Sequence, residues 1–96
     1  MLKKTYLKNG KCRVTFSLPA KTDVKSASIC GTFNEWNKES HPMKRLKSGV
    51  FSTSITFARG EYRFRYYLDG QRWENDWEAD EYRANDFGSE DSVVKV

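Results

Sequence analysis

The sequence predicts an all-β fold in which two antiparallel sheets of short strands pack face to face as an immunoglobulin-like sandwich. Short segments alternate apolar and polar residues, turn-forming residues recur at close intervals, and no longer stretch shows a sustained helical period. The chain of 96 residues suits a single domain spanning residues 1–96. The pattern gives about seven to eight strands, which is somewhat many for the alternative, a small barrel.

The N-terminal region predicts two strands joined by a tight turn. In KCRVTFSL, polar residues alternate strictly with an apolar set that shares one face and comprises Cys12, Val14, Phe16 and Leu18. The preceding TYLK leads into Asn9-Gly10, which predicts a type I′ hairpin because both central residues of that turn need positive φ. Pro19 has no backbone donor for the sheet, so we expect it to end the strand.

Four more segments predict strands further along the chain. VKSASICGTF turns Ala27 and Ile29 inward, and Arg59-Gly60 turns the chain directly from VFSTSITF into EYRFRYYLD. Asp69-Gly70 predicts another hairpin, the acid-rich WENDWEADEYRANDFGSED is irregular, and SVVKV supplies the last strand. The inward faces of the two middle strands comprise Phe51, Thr53, Ile55 and Phe57, then Tyr62, Phe64, Tyr66 and Leu68; Arg63, Arg65 and Tyr67 form an outward row.

Charge is distributed unevenly along the chain, although the formal net charge is only +4. Through Arg72 there are 15 Lys and Arg against 5 Asp and Glu, which gives +10, whereas from Trp73 onward 2 against 8 gives −6. We expect the acidic C-terminal segment to fold across a basic sheet face and partly neutralise it. A basic patch that binds nucleic acid is the sharper but less favoured alternative.

Several classes of protein are disfavoured. The sequence contains no apolar run long enough for a membrane helix and no apolar core of a signal peptide, so a cytoplasmic protein is predicted. Cys12 and Cys30 lack metal-ligand spacing and are expected to be buried thiols, while a lone His41 adds no metal site. The acidic run after Asn75 departs from the calcium-binding EF-hand pattern, so solvated acids or partners of the arginines are predicted instead.

Aromatic residues make up 15% of the chain, which exceeds what one small core needs. Trp36 stands in a polar loop, CGTFNEWNKESHPMKR, where it either faces a ligand or plugs one end of the sandwich with its indole N–H bonded to backbone. The ligand hypothesis is favoured by the polarity of the loop around the indole. Trp73 and Trp77 bracket the sequence END, and Trp77 is predicted to anchor that loop.

A family resemblance rests on four stretches taken in order: GTFNEW at 31–36, HPMKR at 41–45, GEYRFRYYLDGQRW at 60–73 and the terminal SVVKV. Together they resemble the landmarks of the family-48 carbohydrate-binding modules over residues 12–96. That family includes the glycogen-binding domain of AMP-activated protein kinase β subunits and the early-set N-terminal domains of isoamylases and glycogen-branching enzymes. The resemblance implies an early-set immunoglobulin-like sandwich that binds α-1,4-glucans such as glycogen, starch and maltooligosaccharides.

The resemblance also implies roles for single residues. Trp36 and Trp73 correspond to tryptophans that stack on glucose rings, and Arg65 corresponds to the basic residue before the paired aromatics. The late-loop contacts correspond to Phe87, Ser89 and Asp91. Asn34 is a further candidate on chemical grounds, because its amide can donate and accept hydrogen bonds at sugar hydroxyls.

Three departures from the family pattern bear on these roles. The chain has DGQRW where glycogen-binding members commonly have DGQW, and one extra residue reverses the direction of Trp73 unless a bulge absorbs it. Arg65 replaces the usual lysine, and a guanidinium fork is not an equivalent donor. The late loop is unusually long and acidic.

The leading hypothesis is a non-catalytic glucan-binding module that acts alone or in trans with a glucan-metabolising enzyme, with no cofactor, metal or catalytic residue. Enzymes that carry such modules do their chemistry in a separate (β/α)₈ barrel of ~250 residues, and nothing here supplies a glycosidase cleft. The alternative is a structural or protein-interaction early-set domain that has lost sugar binding. A third hypothesis, single-stranded nucleic acid on the arginine-aromatic row, is disfavoured by the acidic tail.

Overall fold

The computed structural model describes residues 2–20 and 23–96, so Met1, Lys21 and Thr22 of the predicted domain 1–96 lie outside the described residues. Nine strands and a single 3₁₀ turn, Thr32–Asn34, make up the regular structure of the described residues. No helix in this part of the chain has the length or the apolar character to cross a membrane. The strands are β1 (Leu2–Tyr6), β2 (Cys12–Leu18), β3 (Ala27–Gly31), β4 (Lys44–Arg45), β5 (Phe51–Phe57), β6 (Glu61–Leu68), β7 (Arg72–Glu74), β8 (Glu81–Ala84) and β9 (Glu90–Lys95).

The strands form two antiparallel sheets, which confirms the all-β sandwich. The first sheet has the order β1-β2-β5-β4, and the second has the order β3-β6-β9-β8. The strand β6 is long enough to pair twice on one edge, with β9 along its first half and with β7 along its second half. Opposite that edge it pairs with β3, so β6 lies at the centre of the second sheet.

Alternation along β2 and β6 builds the core between the sheets. Phe16 of β2 contacts Phe64 of β6 with ring centroids 5.0 Å apart, and both side chains are fully buried. Burying a side chain of this size stabilises the fold by about 1.5–3 kcal/mol. Cys12 and Cys30 are buried free thiols, as the sequence predicted. The core also contains Val14, Leu18, Val24, Ala27, Ile29, Met43, Phe51, Phe57, Tyr66, Leu68 and Val94.

The two predicted hairpins have different outcomes. Asp69 and Gly70 both adopt positive φ (52° and 67°), as a type I′ turn requires, and they join β6 to β7. At Asn9-Gly10 the predicted turn type is wrong, because only Gly10 adopts positive φ (79°). There the Gly10 N–H donates to the Leu7 carbonyl (3.3 Å) and the Leu7 N–H donates to the Lys11 carbonyl (2.8 Å). The result is a wider loop with Gly10 in the left-handed position.

The region predicted to be irregular contains β8, most of β7 and the first two residues of β9. Both β7 and β8 are short and carry charged residues, so neither shows the apolar alternation by which strands are recognised. The turn at Arg59-Gly60 does lead directly from β5 into β6, but it carries the chain from the first sheet to the second. Gly60 and Val96 exchange two backbone hydrogen bonds there (3.0 and 2.9 Å).

The acidic C-terminal segment folds against the second sheet. Glu81 pairs with Arg83 (2.5 Å) and Lys95 (2.6 Å), which belong to the same segment, and Asp91 approaches Arg63 of β6 at 3.4 Å. Its ion pair with the first sheet joins Asp80 to Lys4 (2.6 Å). The neutralisation predicted from the sequence is therefore partial, because the other basic residues of the first sheet have no such partner among the described residues.

Candidate functional site

An open groove of about 840 Å³ lies on the outer face of the second sheet. Five of the seven side chains predicted from the sequence line it: Trp36, Arg65, Trp73, Phe87 and Asp91. Asn34 and Ser89 do not. The remaining lining residues are Thr32, Arg63, Ala84, Asn85 and Asp86.

Trp36 reaches the groove through a strained backbone. Glu35 and Trp36 both adopt left-handed φ (56° and 59°), a conformation that costs non-glycine residues of order 1–3 kcal/mol each. The strain is held by two backbone hydrogen bonds, from the Trp36 N–H to the Gly31 carbonyl (2.9 Å) and from the Asn37 N–H to the Asn34 carbonyl (3.1 Å). The chain reverses here, and the half-buried indole contacts Trp73 on the outer face.

Asn34 supports this loop from behind. Its Oδ1 accepts the Gly31 N–H (3.0 Å), and its Nδ2 donates to the Ile29 carbonyl (3.1 Å) and lies 2.9 Å from His41 Nδ1. The adjoining Gly31 passes so close to β6 that an added Cβ would lie 2.2 Å from the Arg63 carbonyl oxygen. The loop that carries Trp36 is thus fixed against the sheet at its base.

Trp73 is brought to the same face by its register with β6. Trp73 lies opposite Tyr67 and Arg72 lies opposite Leu68, while the Gln71 N–H closes the turn by donating to the Leu68 carbonyl (2.9 Å). Gln71 and Arg72 together therefore face one residue of β6, which is the arrangement of a β-bulge. The extra residue of DGQRW is absorbed at the turn, and Trp73 keeps its outward direction with 37% of its surface exposed.

The rings of Trp36, Trp73 and Tyr67 form an aromatic corner. Trp36 and Trp73 lie nearly perpendicular, at 74° with centroids 6.4 Å apart, and Tyr67 lies 4.6 Å from Trp73. The Lys38 ammonium stands 4.7 Å from the Tyr67 ring centre and 5.7 Å from that of Trp73. The alternation of β6 had placed Tyr67 outward, and Lys38 belongs to the polar surroundings of Trp36 in the sequence. The sequence did not indicate that its ammonium would lie over the rings of Tyr67 and Trp73.

The two groove arginines differ in their partners. Arg63 Nη1 donates to the Ala84 carbonyl and to Asp91 Oδ2, both at 3.4 Å. The Arg65 side chain makes no hydrogen bond or ion pair with any described residue, and its Nε is buried without a partner. Leaving a buried donor unsatisfied costs about 1–3 kcal/mol, so Arg65 is a donor that the folded chain does not use.

Asn85 organises the late loop beside the groove. Its Oδ1 accepts the backbone N–H groups of Phe87 (2.9 Å) and Ser89 (3.2 Å), and its Nδ2 donates to Asp91 Oδ1 and to the Ser89 hydroxyl, both at 3.0 Å. With Gly88 at φ 78°, these bonds hold Phe87 outward, 92% exposed. The sequence reasoning missed Asn85, although an Asn two residues before Phe87 and three before a glycine is typical of an Asx turn.

Asp76 anchors the segment between β7 and β8, and the prediction that Trp77 does so is wrong. Asp76 is only 1% exposed, whereas Trp77 is 66% exposed. The carboxylate accepts the Tyr66 hydroxyl (2.5 Å) and the Glu78 N–H (2.7 Å), and the Asp76 N–H donates to the Ser92 hydroxyl (2.9 Å). Burial, reinforced by the nearby Asp76 charge, raises the pKa of Tyr66 well above its ordinary value, so this phenol remains a donor. Asp76 is therefore a buried anchor rather than a solvated acid.

One comparison with known proteins matches nearly the whole chain. A family model described as the glycogen recognition site of AMP-activated protein kinase matches residues 7–96. No curated protein matches the chain significantly.

Proposed function

The chain belongs to the family of the glycogen recognition site of AMP-activated protein kinase, and from this premise we propose that it binds α-1,4-glucans such as glycogen and starch in the groove on the second sheet. As a carbohydrate-binding module it has no catalytic role. The observation that carries the proposal is the aromatic corner, where Trp36 and Trp73 stand side by side on the outer face.

The perpendicular rings fit a curved chain better than a flat one. Each face of a pyranose ring offers a patch of C–H bonds to an aromatic surface, and hydroxyls surround its rim. Because Trp36 and Trp73 meet at 74°, one glucose cannot lie between them as in a sandwich. We assign the two indoles to neighbouring glucose units of an α-1,4-linked chain, whose successive rings are tilted by the linkage.

Polar and apolar groups around the aromatic corner are assigned to the sugar hydroxyls and to a further glucose ring. Arg65, with its unused donors, is assigned to the hydroxyl rim, and Phe87 is assigned to a further ring at the far side of the groove. Asp91 lines the groove, but both of its oxygens already accept hydrogen bonds from Arg63 and Asn85, so its role is to hold them. Asn34 and Ser89 are proposed to support their loops, because the hydrogen-bonding groups of both side chains are engaged there.

A titration with maltoheptaose tests the proposal, read by tryptophan fluorescence and by NMR. Trp36→Ala and Trp73→Ala should each weaken binding by at least about tenfold, since each removes one stacking surface. Trp77→Ala is the matched control, because Trp77 is exposed but does not line the groove, and it should bind as the parent does. Absolute affinity should be low, because an open groove buries little of each sugar.

Two results would contradict the proposed glucan site. If maltoheptaose moves no resonance of the folded parent chain, the domain is a structural or protein-interaction module that has lost sugar binding. If Trp77→Ala weakens binding as much as Trp36→Ala does, the site has been misplaced.

We further propose that the module acts alone or in trans with a glucan-metabolising enzyme, as the accessory domains of family-13 glycoside hydrolases act beside a catalytic barrel. Retention of the isolated chain on amylopectin, with release by free maltoheptaose, tests stand-alone action. Retention that requires an added branching enzyme would instead support action only in trans.

A further inference from the structure

The strands of the first sheet contain no carboxylate residue, whereas those of the second sheet contain several. The strands β1, β2, β4 and β5 of the first sheet contain no Asp or Glu, yet they carry Lys3, Lys4, Arg13, Lys44 and Arg45. Every carboxylate that lies in a strand belongs to the second sheet: Glu61, Glu74, Glu81, Glu90 and Asp91.

Strand register collects the cations and hydroxyls of the first sheet on its outer face. Lys3 pairs with Thr15, Arg13 with Thr56, and Lys44 with Ser52, and the pleat directs each pair to the same side. We call this surface the basic face; its members are Lys3, Thr5, Arg13, Thr15, Ser17, Lys44, Ser52, Ser54 and Thr56.

The charge of the basic face is uncompensated. Lys3, Arg13 and Lys44 are exposed, and none forms an ion pair with a described residue. The other two strand cations are occupied elsewhere, because Lys4 reaches Asp80 and Arg45 lies 5.6 Å over the Phe51 ring. The folded chain therefore leaves a carboxylate-free cationic surface on the side of the sandwich opposite the groove.

We propose that the basic face docks an acidic surface of a partner protein. Three separated cations supply charge complementarity, and the hydroxyls between them, such as the Thr15–Ser54 pair (2.8 Å), offer donors to carboxylates. Among the described residues, the face has no aromatic side chain on which bases could stack and no apolar side chain to enter a bilayer. Because the groove lies on the other sheet, the partner and the glucan would not compete, and this proposal does not depend on sugar binding.

An oligoglutamate peptide, titrated at low salt and followed by NMR, tests the assignment. Amide resonances of β1, β2 and β5 should shift, whereas the indole N–H signals of Trp36 and Trp73 should not. The variant Lys3→Gln/Arg13→Gln/Lys44→Gln should weaken binding by about tenfold or more, since three exposed charge contacts each contribute a fraction of a kcal/mol. Added salt should weaken binding further.

A matched control removes the same charge elsewhere. Lys8, Lys25 and Lys47 lie outside the basic face, so Lys8→Gln/Lys25→Gln/Lys47→Gln should keep affinity within about threefold. Equal losses in the two triple variants would overturn the proposal, because net charge alone would then explain binding. Tighter binding of duplex DNA or of phosphatidylserine vesicles than of oligoglutamate would overturn the choice of partner. Dispersed amide resonances in both variants, as in the parent, would show that they are folded.

Discussion

The two outer faces of the sandwich arise from the same pleat but have different shapes and chemistry. On the second sheet, three irregular segments rise beside β6: the loop that carries Trp36, the turn at Asp69-Gly70 and the loop from Asn85 to Ser89. On the first sheet the outer face of the described strands is an array of hydroxyls and cations. The comparison teaches that loops fixed to a strand, rather than the strand itself, turn a sheet face into a groove.

Gly31→Ala should have the largest effect on stability among the substitutions that test this difference between the two faces. An added Cβ would lie 2.2 Å from the Arg63 carbonyl oxygen and 2.6 Å from a Phe33 ring carbon. We therefore expect the substitution to lower the free energy of unfolding by more than about 3 kcal/mol. Gly10→Ala, in the loop between β1 and β2, is the control: nothing lies within 4 Å of an added Cβ, and only the positive φ of this position costs about 1 kcal/mol. Urea unfolding measures both. Equal losses would mean that the Trp36 loop is not fixed against β6.

Removing the Asp76 anchor should have the next largest effect. Asp76→Ala leaves the Tyr66 hydroxyl and the Glu78 N–H without their acceptor, at a cost of about 2–3 kcal/mol. Glu78→Ala changes an exposed acid in the same segment and should stay within about 0.5 kcal/mol of the parent. The midpoint of urea unfolding tests the pair, and a similar midpoint for both would contradict an anchoring role for Asp76.

Acid should weaken the turn that presents Trp73. Backbone N–H groups of Ser26 and Lys25 hold the pKa of Asp69 below its usual range. A carboxylate with a lowered pKa in the fold stabilises it above the ordinary Asp value of about 3.9, and this contribution is lost as pH falls through the lowered pKa. The stability difference between the parent and Asp69→Asn should therefore be present near neutral pH and shrink in acid. A difference independent of pH would contradict the assignment.

Lys38→Ala should have a small effect that is confined to the aromatic corner. The ammonium lies over Tyr67 and Trp73 at an exposed position, where such a contact contributes about 0.5–1 kcal/mol. Lys38→Ala should lower the free energy of unfolding by that amount. Lys47→Ala, which replaces a lysine in a turn of the opposite sheet, should leave it unchanged. Maltoheptaose titration of the same two variants would reveal whether Lys38 also positions Trp73 for the sugar.

Deleting Arg72 should have the smallest effect and is the sharpest test of register. The deletion turns DGQRW into DGQW and removes the bulge, so the tryptophan should still lie opposite Tyr67. We expect maltoheptaose affinity within about twofold of the parent. A large loss would mean that the indole had changed sides and that the bulge does not absorb the extra residue.

Sequence alone predicted the parts of the fold that carry alternation. The buried faces of β2, β5 and β6 follow from period-two patterns, and Asp69-Gly70 follows from turn chemistry. The short strands β7 and β8 could not be recognised, because they carry charged residues and show no apolar alternation, although each pairs with a strand close to it in sequence. For Asn9-Gly10 the same dipeptide fits more than one hairpin, and the choice is made by the register of β1 against β2.

The candidate site also contains some residues that the sequence predicted and others that it did not. The family motifs and the outward row of β6 predicted roles for Trp36, Trp73 and Arg65, and all three side chains line the groove. Lys38 stands in a polar stretch without periodicity, and its contact with Tyr67 joins chain segments that meet only in the fold. Asn85 was missed although its bonds to Phe87, Ser89 and Asp91 are all local.

The strained backbone at Glu35 and Trp36 has a consequence for the kinetics of attachment. A ring held in place before the sugar arrives needs no ordering step, so capture should approach the rate set by diffusion and release should be rapid. On a branched particle that offers many chain ends, such a domain would exchange constantly between neighbours. Lasting residence would then require several copies, or a second tether, engaged at once.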